Sequence, residues 1–399
     1  MALTDYKPQF DNAYQEVFQK TLVAKDIMNT RFEKLLSYGA SVARVSFDIS
    51  AVRVRTVTRG FASTFDPLTD TAETLTINLE KEAAFHISDG EATQTGPLNP
   101  GEVIGKQVGH KVAVDLDGRC FGQVVNALYD FDNGDLTTAT STGVGITLNA
   151  TTVPQMVARM PAKLRNKNNQ EIMTNMALVV DSYAASDITQ YLLGKNIDLA
   201  GSVFKNGYTG DISNAQMYVS ENLTGEATLV STGVPVTTQT VTIGGVVFTS
   251  VSAIGTTPGN VLFTTAADFI TNLAAAINAP GTTSATYIAV SAADQVTITD
   301  TLGLVATATS ATVLTIVGTG SGRLTLSETQ TNFSWATNIL HAYFGKKGAI
   351  DLVVQDLAPV DMRITTDRRG TNVFSSYLAG IKTFADGAKK FLDVLILVA

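Results

Sequence analysis

Charge is almost missing from one stretch of this 399-residue chain. The whole chain has 28 Lys and Arg and 36 Asp and Glu, but residues 224–333 hold only Glu226, Asp268, Asp294, Asp300, Arg323 and Glu328. The stretch is rich in Thr, Ser, Gly, Ala and Val, whereas its flanks have ordinary globular composition. So abrupt a change predicts a module inserted into a host domain that tolerates surface insertions.

Cysteine is nearly absent as well. The single Cys120 excludes an internal disulfide and fits a reducing site of assembly. The first residues lack the basic and then apolar pattern of a secretory signal peptide. The uncharged run over 227–267 is interrupted by Thr, Ser, Gly and Pro, so we do not expect it to span a membrane, which needs ~20 mainly apolar residues.

Signatures of catalysis and of metal binding are missing too. The three histidines, His86, His110 and His341, share no metal-ligand spacing, and we expect each to be structural. The run from Asp130 to Ser141 resembles a calcium loop but lacks its glycine and its final glutamate, so a turn is the better interpretation. We predict no catalytic residue, no metal and no cofactor. The net charge of −8 disfavours nonspecific binding to nucleic acid.

What the chain does contain begins with a helical arm over 1–47, followed by two candidate strands over 50–60 and 73–87. If these strands pair as a hairpin with Arg53 opposite Glu82, then Arg55 falls opposite Glu80, which gives two cross-strand ion pairs. The long loop between them leaves two interpretations open, a decorated surface hairpin or a hairpin that docks on a neighbouring subunit.

Residues 97–131 have the apolar stripe of one long helix. Gly101, Gly105 and Gly109 lie four residues apart, so they form a small-residue face that another backbone could approach closely. The alternative is local fraying or a kink, because glycine costs a helix ~1 kcal/mol per residue.

Helices alternate with strands in the rest of the host. We predict helices over 153–165 and 186–193, and strands over 176–180, 215–220, 348–355, 381–384 and 392–398. Within 224–333 we predict strands over 241–243, 246–248, 287–290, 296–298 and 313–317, with one helix over 266–278 capped by Thr264 or Thr265. The segment therefore reads as a mostly-β or small α+β module, and Gly318–Gly322 within it reads as a flexible turn.

The order of the host elements resembles that of the HK97-fold major capsid proteins of tailed bacteriophages. The likeness lies in Gly207–Leu223, in Phe344–Gln355, and in 377–384 with 394–398. Capsid proteins similar to the P22 coat protein also have an extra domain at the equivalent place, although the residues of 224–333 depart from the pattern of that domain.

The resemblance implies an α+β fold with five parts: an N-terminal arm, an extended hairpin loop, a peripheral domain with a long spine helix, an α/β axial domain and an insertion domain. Their expected bounds are 1–47 for the arm, 48–95 for the loop, 96–152 and 346–399 for the peripheral domain, 153–223 and 334–345 for the axial domain, and 224–333 for the insertion.

The function implied by the resemblance is a non-enzymatic shell subunit that assembles into an icosahedral capsid in the host bacterial cytoplasm. The partners implied are other copies in hexamers and pentamers, a separate scaffolding protein, a portal protein and a decoration protein, with packaged double-stranded DNA enclosed without sequence-specific contacts. Two alternatives stay open: a tail-tube or adhesin subunit with the insert as its binding module, and an unfamiliar enzyme.

Overall fold

The structure is a computed structural model that describes residues 11–17, 22–33, 41–48, 53–56, 59, 65–66, 69–88, 100–138, 140–167, 174–193, 211–212, 215–364 and 370–398. Helix and sheet are mixed along the chain, which confirms the α+β class predicted from the sequence. The fold divides into two compact units, one from 1–18, 28–110 and 348–388, the other from 19–27, 111–347 and 389–399.

Eighteen strands are present in the described residues. In chain order they are β1 (Ser41–Asp48), β2 (Thr69–Thr76), β3 (Leu79–Ser88), β4 (Tyr129–Phe131), β5 (Met176–Val180), β6 (Asp211–Ile212), β7 (Ala215–Val219), β8 (Thr224–Ser231), β9 (Thr240–Ile243), β10 (Val246–Val251), β11 (Asn260–Leu262), β12 (Leu304–Ser310), β13 (Val313–Gly318), β14 (Leu326–Glu328), β15 (Phe333–Lys346), β16 (Asp351–Ile364), β17 (Gly370–Lys382) and β18 (Phe391–Leu397).

The longer helices are α1 (Pro100–Phe121), α2 (Thr152–Lys167), α3 (Ser182–Leu193) and α4 (Ala266–Asn278). Residues 11–17 are also helical. Short helical turns occupy Ala24–Ile27, Val124–Asn126, Asn133–Leu136, Ala292–Val296, Thr297–Thr301 and Ala385–Ala388.

The first unit contains two antiparallel sheets, and neither has the hairpin predicted over 50–60 and 73–87. Strand β1 pairs with β2, while β3 pairs with β17, which in turn pairs with β16. The predicted second strand is divided between β2 and β3 at Ile77–Asn78, and Leu75 and Ile77 are buried with Val353 and Phe384. Residues 53–56 are not in a strand, and the rest of 50–58 lies outside the described residues.

The helix predicted over 97–131 is shorter in the structure. Its apolar stripe is confirmed where Val108, Val112, Leu116 and Cys120 are buried at a spacing of four. However, α1 ends at Phe121, and the chain then makes a turn and enters β4, which pairs in parallel with β18. The predicted start at 97–99 lies outside the described residues.

A mixed sheet of nine strands organises the second unit, with β15 at its centre. Strand β15 pairs with β18 along one side, and with β8 and then β5 along the other. Beyond β5 the sheet continues to β7 and β6, and beyond β8 to β13 and β12. The strands predicted over 176–180, 215–220 and 392–398 are thereby confirmed, as are the helices over 153–165 and 186–193, the latter beginning four residues earlier.

The charge-poor segment 224–333 has its own hydrophobic core, whose buried members all lie between Ala227 and Phe333. Helix α4 packs over this core and begins as predicted, because Thr265 and Asp268 form a reciprocal capping box. At its other end the Asn278 side chain bonds both the amide and the carbonyl of Ala306 on β12, at 2.9 and 2.7 Å. The segment is thus compact, but its β8 belongs to the same sheet as the host strands, and the predicted domain boundaries stay predictions.

A second, four-stranded sheet in the order β11-β10-β9-β14 completes the segment. Its β9–β10 hairpin turns at Gly244 and Gly245, whose φ angles of 58° and 85° suit a two-residue turn. The strand predicted over 296–298 is wrong: the Ser291 hydroxyl caps a helical turn that continues through it. The strand predicted over 287–290 is reduced to one bridge between Tyr287 and Val261.

The core of the segment predicts the effect of Phe269→Ala. The Phe269 ring is fully buried and meets Phe333 edge to face, with 5.1 Å between ring centroids. Its removal should lower the free energy of unfolding by about 3–5 kcal/mol, because a cavity replaces a well-packed ring. Urea unfolding followed by the fluorescence of Trp335, the only tryptophan, measures the change. The exposed Thr271→Ala on the same helix is the control, and equal losses for both variants would contradict the prediction.

Candidate functional site

The arginines predicted to pair across a hairpin both bind one aspartate instead. The Asp66 carboxylate accepts the backbone N–H of Arg53 at 2.9 Å and its guanidinium at 3.2 Å, and it also contacts the guanidinium of Arg55. The backbone hydrogen bond from Arg53, followed by the two guanidinium groups, lowers the pKa of Asp66. The predicted pairing of Arg53 with Glu82 and of Arg55 with Glu80 is wrong within the chain, because 53–56 and β3 do not form a hairpin.

Glu80 and Glu82 lie on β3 with both side chains exposed. Their neighbours across the strand pair are Leu378 and Ser376 of β17. An inter-subunit role for these two carboxylates stays a prediction.

Two exposed apolar side chains lie next in sequence to the residues that form these ion pairs. Val54, between the two arginines, is fully exposed, and Phe65, beside Asp66, is 92% exposed. A phenylalanine so exposed on a segment fixed by ion pairs is a candidate contact residue, since large apolar side chains gain the most from burial in an interface.

The predicted small-residue face of α1 meets a backbone at Gly109. A Cβ on Gly109 would lie 2.7 Å from the carbonyl oxygen of Tyr14, in the helical residues 11–17. Tyr14 is buried, and burial raises the pKa of its hydroxyl. Gly105 is also buried, and the roles predicted for Gly101 and Gly105 stay predictions.

Farther along α1, Asp117 holds the start of the short helical turn Ala24–Ile27. Its two carboxylate oxygens accept the backbone N–H groups of Val23 and Ala24 at 3.0 and 2.9 Å. Burial raises the pKa of Asp117 to about 6, although these hydrogen bonds oppose the shift. The same side of the helix carries Cys120, whose burial raises the pKa of its thiol and keeps it a core residue.

The glycine-rich turn of the inserted segment also packs on α1. A Cβ on Gly118 would lie 2.9 Å from the Cα of Gly320, and one on Gly122 would lie 2.5 Å from a methyl group of Thr319. The predicted flexible turn is therefore a packing element, since glycine alone permits this approach of the two backbones.

Arg323, one of the six charges of the segment, continues this attachment. Its guanidinium forms two hydrogen bonds with the fully buried carboxylate of Asp181, which also caps α3 by accepting from the amide of Ala184. The guanidinium lies 5.0 Å from the ring centre of Tyr183. The ion pair between Arg323 and Asp181 therefore attaches the segment to the host.

His341 is held between two carboxylates that lie far from it along the chain. On β15, its Nδ1 lies 2.7 Å from Oδ2 of Asp393 on β18, and its Nε2 lies 3.4 Å from Oε2 of Glu226 on β8. Burial alone would lower the pKa of His341, but the carboxylates of Asp393 and Glu226 raise it to about 10. The imidazolium therefore links the first strand of the inserted segment to the last strand of the host.

No group of three His, Cys, Asp or Glu side chains placed to hold a metal ion occurs in the part of the chain that the structure describes. In the run that resembles a calcium loop, Asp132 and Asp135 form a capping box, and Asp132 also binds the amides of Thr142 and Gly143 at 2.5 Å. Among the described helices, none is long and apolar enough to cross a membrane.

His341→Gln should reduce stability in a pH-dependent way. Because the folded pKa of His341, about 10, exceeds its ordinary value of 6.5, its stabilisation is fully present below pH 6.5 and is lost as the pH rises through 10. The variant should lose about 3 kcal/mol at pH 6 and much less at pH 10. Urea unfolding at both pH values measures the difference.

The exposed His110→Gln is the matched control and should leave the stability unchanged at both pH values. A loss from His341→Gln that is as large at pH 10 as at pH 6 would show that the ion pairs contribute nothing.

No family model matches the chain, and no curated protein is similar to it. Solved structures are similar over most of its length. A structure from Mycobacterium phage Che8 has 13% identity and a TM-score of 0.47, and the match covers 94% of this chain and 90% of that one.

Two further similar structures are capsids. For Cyanophage P-SCSP1u the identity is 10% and the TM-score 0.43, with 94% of this chain and 86% of that one covered. For the mature capsid of bacteriophage PhiM1 the identity is 12% and the TM-score 0.44, and the match covers 90% of this chain and 82% of that one.

Proposed function

We propose that this chain is a structural shell subunit that assembles into the icosahedral capsid of a tailed bacteriophage. The observation that carries the proposal is the order of elements along the chain. A helical N-terminal segment precedes the strands β1 to β3 and then the long helix α1. The nine-stranded sheet that follows α1 along the chain is completed by the C-terminal strand β18. This is the order for which the sequence resembles HK97-fold capsid proteins.

A shell subunit needs side chains that are exposed in the free subunit and become buried against a neighbouring subunit on assembly. Val54 and Phe65 meet this requirement, because both side chains are exposed on a segment that Arg53, Arg55 and Asp66 hold in place. Many such contacts, each weak enough to be reversible, sum to a large total over a closed shell.

In this proposal the subunit works in the virion and is assembled in the host cytoplasm. Its partners are further copies in hexamers and pentamers, a separate scaffolding protein, a portal protein and a decoration protein, and the shell encloses double-stranded DNA without reading its sequence. The compact segment 224–333 serves as an accessory domain, where the scarcity of charge favours contact or display over the steering of charged ligands.

Expression of the full chain, with its scaffolding protein where one is needed, tests the function. We expect closed particles of uniform diameter in negative-stain electron microscopy, because identical subunits that associate with closed symmetry form particles of defined size. Rings, tubes or trimers would favour the tail-tube or adhesin alternative, and a soluble monomer under all conditions would overturn the proposal.

Replacing Val54 and Phe65 together by serine should weaken particle formation while leaving the melting temperature of the isolated subunit unchanged. Exposed side chains contribute within about 0.5 kcal/mol to folding, but their apolar area is what a neighbouring copy would bury. Sedimentation of assembled against free subunits measures the effect, and we expect at least a tenfold rise in the concentration needed for assembly. Val247→Ser, which removes an exposed valine from β10, is the control. Normal assembly of the double variant would show that this loop is not a contact.

A further inference from the structure

A row of four threonines crosses the sheet of the inserted segment. Thr307 of β12 is paired with Thr315 of β13, Thr315 with Thr228 of β8, and Thr228 with Thr337 of β15. Because residues directly opposite each other on neighbouring strands share one face of a sheet, the four side chains lie side by side. The hydroxyl of Thr309, at the bulge of β12, lies 2.9 Å from that of Thr315 and adds a fifth.

The row lies on the face of the sheet that points away from the core of the segment. Its neighbours along the strands, among them Ala306, Leu314 and Ala227, are buried in that core. Successive side chains of a strand point to opposite faces, so the threonines point outward. Thr307 is exposed, and the other three threonines of the row are half-buried. We call this outer side of β12, β13, β8 and β15 the threonine face.

Valines border the row in both directions along the strands, where Val305 is paired with Val317 and Val313 with Val230. At the host end of the face, Glu226 is opposite Val317, and its carboxylate lies 3.4 Å from Nε2 of His341. The charge of Glu226 is therefore balanced, and the rest of these positions present only hydroxyl and methyl groups.

The edge of this sheet is closed to a further strand. Strand β12 is the outermost strand, and the Asn278 side chain bonds the amide and the carbonyl of Ala306 at 2.9 and 2.7 Å. A bulge between Ala308 and Ser310 interrupts the strand beyond that point. Edges blocked in this way resist pairing with another chain, so a neighbour would meet the face of the sheet and not its edge.

A second copy of this chain is the occupant that the chemistry of the threonine face fits. A hydroxyl both donates and accepts a hydrogen bond, so a row of threonines is complementary to itself. A two-fold interface needs such a surface, because it brings the same patch from both partners. The net charge of −8 makes two copies repel each other, and a face with balanced charge lets them approach with the least repulsion.

The size of the face predicts a weak contact. With strands about 4.8 Å apart and rows about 7 Å apart, four strands present roughly 400 Å², which is half of the ~800 Å² that each partner of a stable dimer buries. The contact alone would be short-lived in solution, and repetition over many copies would make it count.

We propose that the threonine face packs on the same face of a second copy, as two sheets stacked face to face. The role of this contact, joining neighbouring subunits of a shell, rests on the proposed function. The contact itself is measured on free subunits, at a concentration at which no particles form, so the two proposals are tested separately.

Chemical linking of Thr315→Cys tests the contact. The new thiol lies in the middle of the row, and the chain's own Cys120 is buried. A short bis-maleimide joins two thiols that come close, and a denaturing gel follows the rate at which linked dimers form. Thr271→Cys, at an exposed position of α4, gives the rate for random collisions. We expect Thr315→Cys to link at least ten times faster, although its position is the less exposed of the two.

A charge beside that thiol should abolish the difference. Thr228→Lys, added to Thr315→Cys, places like charges in the contact and should reduce linking to the rate of Thr271→Cys. Thr228→Ser keeps the hydroxyl and should change the rate less than twofold. Mixing the Thr228→Lys form with the corresponding Thr228→Glu form should restore linking, which a misfolded variant would not do.

Linking of Thr315→Cys no faster than that of Thr271→Cys would overturn the proposal, and so would linking that Thr228→Lys leaves unchanged. Both results would also be expected if a different partner occupied the face. Linking as expected, together with no particles from the unmodified chain under any condition, would support this contact and overturn the shell function.

Discussion

The hydrogen-bonded pairing of β15 is the constraint on which the second unit depends. This strand joins β18 on one side and both β8 and β5 on the other, so it connects the C-terminal host strand, the inserted segment and the buried strand Met176–Val180. Buried backbone N–H and C=O groups need hydrogen-bond partners, and β15 supplies such partners to β18, β8 and β5. His341 adds charge to this connection, because its imidazolium lies between Asp393 and Glu226.

The inserted segment is held by close backbone packing and by one charge. Its Gly320 turn packs on Gly118 of α1, and Arg323 binds the buried Asp181 at the start of α3. A segment with so few charges still needs a directional contact with the host, and the buried carboxylate of Asp181 would be costly without the guanidinium of Arg323. Low charge elsewhere leaves its surface to Thr, Ser and Val, which suits contact with neutral surfaces.

Local patterns in the sequence predicted the elements whose residues interact within a few positions of each other. The stripe from Val108 to Cys120 predicted the buried face of α1, and Thr265 predicted the start of α4. Short alternating runs were less informative. Val296–Ile298 alternates like a strand but lies in a helical turn, because three residues satisfy both periods and the capping hydroxyl of Ser291 decides between them.

The sequence by itself determined the α+β class, the compact, charge-poor segment and most of the helix and strand positions in that segment. Only the tertiary structure decided which charges meet. Arg53 and Arg55 bind Asp66 rather than Glu82 and Glu80, and His341 meets two carboxylates that are distant along the chain. The physical reason is that periodicity records which side of an element is buried, whereas an ion pair depends on which strands become neighbours, and that is fixed by sheet pairing over long sequence distances.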